Sequence, residues 1–135
     1  RQNFRKLNSR ALEKMAADED VAAEYEGVIE SSVNDINFAR SELGEDADMV
    51  DRFGITLNAD GTISITARLI EGLTGSDGSR NVKANTVSEL MERLNETKQN
   101  QAEKLAEIRR AKAEEAKKSK EKEENEEEKS FSAKA

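Results

Sequence analysis

The alternation in Phe53-Gly54-Ile55-Thr56-Leu57, repeated in Ile63-Ser64-Ile65-Thr66-Ala67, constrains the fold of this chain more than any other feature. Apolar residues at every second position describe a strand with one buried face. Between the two runs lies Asn58-Ala59-Asp60-Gly61-Thr62. Asn and Asp favour a turn there, and Gly61 accepts the positive φ of a turn with a bulge. The turn sets the register: Leu57 opposite Ile63, Ile55 opposite Ile65 and Phe53 opposite Ala67. All six then share one face, and Gly54, Thr56, Ser64 and Thr66 share a polar one; a slip of one residue would mix the two. Leu69 extends the buried face of the second strand. A lone hairpin is marginal in water, so its apolar face needs a helix to cover it.

That cover is predicted upstream. Ser9 suits an N-cap, with Leu12 and Met15 as a short apolar face, and Asp18 caps a second segment with acids in its first turn. From there Ala22, Ile29, Ile36 and Leu43 recur every seven residues. Tyr25, Ser32 and Ala39 follow three positions after the first three, and Val28 and Val33 widen the stripe. The pattern is an amphipathic helix whose outer face is acidic. Gly27 weakens it by roughly 1 kcal/mol relative to alanine, and Gly44 stands where a left-handed C-cap ends it. The basic stretch from Arg1 to Lys14 reads as a solvated lead-in to this helix.

Downstream, residues 71–85 hold Gly72, Gly75 and Gly78 and read as a loop. Thr86-Val87-Ser88-Glu89 is a capping box. Val87, Leu90, Met91 and Leu94 then give one apolar stripe, which fades at Thr97 and Lys98. Residues 98–129 are rich in helix formers but lack a core face. One helix is expected there, supported by pairs such as Glu114 with Lys118 and grading into disorder near the Glu-rich run at 123–128.

Composition limits the chemistry. The chain has no His, Cys, Trp or Pro and one Tyr, which excludes a Ser/His/Asp or Cys/His nucleophile and an ordinary zinc site. No enzyme and no cofactor are expected. The acids at 45–51 and the turn at 58–62 miss the ligand spacing of a calcium loop, since Val50 or Ile63 falls where a ligand or glycine is needed. The glycines at 72, 75 and 78 lack the Gly-Lys-Ser/Thr of a phosphate loop. Paired carboxylates for sugar hydrolysis are unmarked, and Tyr25 belongs to the core stripe. No metal is expected.

The formal net charge is −7. Residues 1–97 hold 11 Lys/Arg against 19 Asp/Glu, whereas 98–135 are nearly balanced. An acidic body repels phosphate backbones, so nucleic acid is not an expected partner. No apolar run is long enough to span a bilayer, so no membrane is expected either. A protein partner or self-association is expected instead. The candidate contacts are Leu105 and Ile108 on the charged tail, and Phe4 and Leu7 near the start; packing on the protein's own core competes with the second pair. The expected location is cytoplasmic, with the preceding context left open because the chain starts at Arg1.

Leu12-Glu13-Lys14-Met15-Ala16-Ala17-Asp18-Glu19-Asp20 with Tyr25-Glu26, the Asn58–Ile63 hairpin and the Lys/Glu/Ala-rich end carry a resemblance. Over roughly residues 9–120, the chain resembles an uncharacterised family of small proteins from anaerobic Gram-positive bacteria, known only as a domain of unknown function. The resemblance implies a bacterial origin, argues against an enzyme and supplies no functional residues.

The expected architecture is α+β. A long helix over 9–43 packs on a two-stranded antiparallel hairpin over 53–70, a loop fills 71–85, and a helix start at 86–97 completes a core of residues 1–97. A charged helical to disordered tail fills 98–135, with coiled-coil character. The expected function is a non-enzymatic interaction or structural accessory module. The alternatives are a small acidic secretion-type chaperone or inhibitor of one client, and a phage or cell-surface assembly component.

Overall fold

A computed structural model describes the backbone of residues 3–134 and the side chains of residues 3–120. The elements, in chain order, are β1 (Phe4–Leu7), α1 (Ser9–Ala17), α2 (Glu19–Leu43), a 3-10 turn (Gly44–Met49), β2 (Val50–Leu57), β3 (Ile63–Leu69), β4 (Asn81–Ala84), α3 (Val87–Asn100) and α4 (Ala102–Lys134). The class is α+β, but the hairpin is the centre of a four-stranded mixed sheet in the order β1-β2-β3-β4. β1 runs parallel to β2, and the other pairs are antiparallel.

The hairpin register is the one the turn dictates: Leu57 faces Ile63, Ile55 faces Ile65 and Phe53 faces Ala67. Gly61 has φ +85, and the Asn58 carbonyl accepts from its amide at 3.0 Å. Two strands absent from the sequence reading complete the sheet. Within the basic stretch Phe4–Leu7 is β1, ahead of the helix that starts at Ser9, and the expected loop contains β4. Neither shows in the pattern because each is four residues long and lies at an edge. Two alternations in four residues do not separate strand from coil.

α1 starts at Ser9, as expected, but its N-cap lies one residue upstream. Asn8, not Ser9, is the N-cap: its Oδ1 accepts from the Arg10 amide at 2.9 Å, while its own amide donates to the Leu57 carbonyl at 3.0 Å. One residue thus ends the parallel pairing and opens α1. The helix expected over 9–43 is two helices, because Asp18 is extended (φ −145, ψ 116) and caps α2 through the Asp20 amide. Gly44 ends α2 at φ 54.

From the predicted stripe α2 buries Tyr25, Ile29, Ser32, Ile36 and Ala39, while Ala22, Val28, Val33 and Leu43 are half-buried. α3 buries Leu90, Leu94 and Thr97 behind a cap in which Thr86 Oγ1 accepts from the Glu89 amide at 3.2 Å. Both helices pack on the sheet face made by Phe53, Ile55, Leu57, Ile65, Ala67 and Leu69, all buried. Each of the buried Phe, Ile and Leu side chains contributes about 1.5–3 kcal/mol. The 45–51 and 71–85 segments add Met49 and Leu73, each 1% exposed.

The helix expected to run from 86 through the tail breaks at Gln101 (φ −121, ψ 33). The Gln101 amide group clasps Thr74: Oε1 accepts from the Thr74 amide at 3.2 Å, and Nε2 donates to its carbonyl at 2.5 Å. The chain divides there into two compact units, Arg1–Gln101 and Ala102–Ala135. α4 carries helical backbone from Ala102 to Lys134.

Candidate anion-binding face

Pleating sends alternate residues to opposite sides of a sheet, so register fixes what the face away from α2 and α3 carries. Three rows cross it. The middle row reads Phe4, Gly54, Thr66, Lys83. On one side of it run Arg52, Arg68 and Asn81; on the other run Lys6, Thr56 and Ser64. Thr66 and the Phe4 ring, which lies over Gly54, make the floor, and longer side chains make the walls. The result is a cleft of ≈ 430 Å³ whose lining includes Arg5, Lys6, Arg52, Arg68 and Lys83.

Charge on this face is sorted. Five of the 11 cations of residues 1–97 line the cleft, and none of its lining residues is an acid. All five are exposed. Asp51 Oδ2 lies 3.9 Å from Arg52 Nε, outside the lining. An acidic unit therefore carries one concentrated positive surface.

Phe4 is built into that surface. A Cβ on Gly54 would stand 2.1 Å from Cε2 and Cζ of the Phe4 ring, so the ring lies directly on the Gly54 backbone. Lys6 Nζ is 6.0 Å from the ring centroid. Near this edge Arg40 ties α2 to the segment before β1: its guanidinium lies 5.2 Å from the Phe53 centroid, and Nη2 donates to Asn3 Oδ1 at 2.5 Å.

A second concavity, ≈ 690 Å³, lies between α2 and the start of β3. Its lining is nearly neutral, with Glu24 the one charged residue. Among the described residues, no group of three or more carboxylates is placed to hold a metal ion. No helix of the described residues is long and apolar enough to cross a membrane. Asp60 in the hairpin turn is held below the usual aspartate range by hydrogen bonds from the Thr62 hydroxyl (2.6 Å) and amide (3.0 Å).

Of the four candidate contact residues, Phe4 and Leu7 belong to the first unit and Leu105 and Ile108 to the second. Phe4 is half-buried on the cleft floor, and Leu7, 38% exposed, belongs to the opposite side of β1. In the second unit, Leu105 is buried at 3% exposure and Ile108 is half-buried. The cationic residues were not among the candidates. Arg52, Arg68 and Lys83 are separated by up to 31 positions, and only the sheet register assembles them. The one available signal was the alternation itself, extended one step upstream to Arg52 and one step downstream to Arg68.

Fold and face define a small α+β protein with helices on one side of a mixed sheet and a cationic cleft on the other. The chain belongs to the family described as "Protein of unknown function (DUF6033)", whose model matches residues 6–135. No curated protein and no solved structure matches it.

Proposed function

We propose that this chain is a non-enzymatic interaction module that receives a protein partner on the open face of its sheet. The observation that supports this is the sorting of charge: five cations and no acid line one concave surface of an otherwise acidic unit. An aromatic ring with cations around it is the composition of a protein-recognition surface, where aromatic residues and arginine are enriched. The same reading includes a cytoplasmic setting and, from the helix start and hairpin that carry the resemblance, an origin in anaerobic Gram-positive bacteria.

Site-specific photo-crosslinking tests it. A photoreactive residue is placed at Ser64, on the open face, and in a separate chain at Glu30, an exposed position of α2. Capture of one protein from Ser64 but not from Glu30 is the expected result. Capture from Glu30 alone moves the interface to the helices, and capture from neither position removes the interaction reading.

A further inference from the structure

We infer that the cationic cleft takes an acidic peptide segment of a partner protein, with Arg52 and Arg68 as a matched pair of carboxylate receptors; this rests on the interaction reading above. The argument starts from register. Arg52 and Arg68 are directly opposite each other on adjacent strands, and both are exposed. Like charges directly opposite in a sheet are destabilising. The exposed Asp51–Arg52 contact at 3.9 Å offsets only part of that repulsion, and negative charge lying between the two guanidiniums makes the arrangement favourable. Two arginines carried at facing positions of the sheet suit carboxylates, which a guanidinium binds bidentately. Lys83 and Lys6 stand at other positions around the same floor of Phe4 and Thr66. At ≈ 430 Å³ the cleft fits a few side chains, and Phe4 offers an apolar contact beside them.

The observations favour a peptide over a nucleic-acid strand. A single-strand platform stacks successive bases on several aromatic rings, and this face has one. The chain's charge of −7 opposes the approach of a polyphosphate more strongly than that of a segment with a few carboxylates. Partner choice is then set by the local field of the cleft and not by the net charge.

The test uses the full chain and a fluorescein-labelled peptide, Gly-Glu-Glu-Phe-Glu-Glu-Gly, with its all-Gln counterpart as control. Fluorescence anisotropy is expected to show binding of the Glu peptide that weakens with added salt, and no binding of the Gln peptide. Arg52→Gln and Arg68→Gln are each expected to weaken binding by about tenfold or more while leaving Tm unchanged or about 1–4 °C higher. That pairing of outcomes separates a receptor role from a structural one. Lost binding together with a lower Tm would make the arginines structural and overturn the inference. Tighter binding of a short oligo-deoxythymidine would overturn it in favour of a nucleic-acid face. Self-association of the full chain that Arg68→Gln releases would make the occupant a second copy and overturn the separate partner. If Ser64 captures a protein but the Glu peptide does not bind, this inference fails and the interaction module stands; if both fail, so does the broader reading.

Discussion

Gly54 has no side chain to spare, because the Phe4 ring already fills the place where one would be. Gly54→Ala is therefore expected to destabilise the protein by about 1–3 kcal/mol, and by much less in a Phe4→Ala background. Urea melts of the four proteins form the cycle; equal losses in both backgrounds would show that the ring is not the cause. Asp60 supplies a pH-dependent prediction. Its folded pKa lies below the unfolded one, so its contribution is present above the ordinary aspartate value and is lost as pH falls through the folded pKa. The parent chain should exceed Asp60→Asn in stability at neutral pH, and the gap should close as pH drops below about 4. Melts across that range check the sign, and a gap that widens with acid would contradict it. Residue scale is also where the sequence was most legible: Gly61, Asp18 and Thr86 do what their types predict, and Gly44 ends α2 at a positive φ, although its ψ of −121 is not that of a left-handed helical cap. Gly54 was not legible, since a glycine on a polar face gives no hint that an aromatic ring from a distant strand lies over it.

At the scale of elements, the long periodic helix and the central hairpin followed from pattern, and the edges of the sheet did not. α2 carries a glycine, Gly27, with nothing within 4 Å of where its Cβ would be. Gly27→Ala should therefore stabilise the protein by about 1 kcal/mol, through helix propensity alone. An unchanged or lower denaturation midpoint would mean that the glycine serves packing or function. The break between α3 and α4 is a tertiary event, because Gln101 is an ordinary helix former by type. It leaves the helix while both ends of its side-chain amide hold the Thr74 backbone. Gln101→Ala should expose the Thr74 amide to faster hydrogen exchange and extend helical protection across position 101. Unaltered exchange at Thr74 would show that the clasp is not what holds this loop. β1 and β4 escaped the sequence for the same kind of reason: each is a strand only because β2 or β3 lies beside it.

For the whole molecule, one apolar layer between helices and sheet holds the first unit together, and Ile36, 1% exposed, lies within it. Ile36→Ala should cost about 2–5 kcal/mol, a large part of the stability of a domain this size, and urea unfolding with a preserved slope would show the loss to be global. The sequence by itself determined the α+β class, the hairpin register, the capped helices, the core stripe of α2 and the exclusion of histidine- or cysteine-based chemistry. These rest on local periodicity and residue type, which act over a few positions along the chain. Only the tertiary structure decided that the sheet has four strands, that β1 is parallel, and that the polar side of the hairpin is a cationic cleft. The physical reason is that charge on a sheet face belongs to its rows, and a row joins residues through hydrogen bonds between strands. Arg52 next to Arg68, or Phe4 over Gly54, exists only once those bonds have formed.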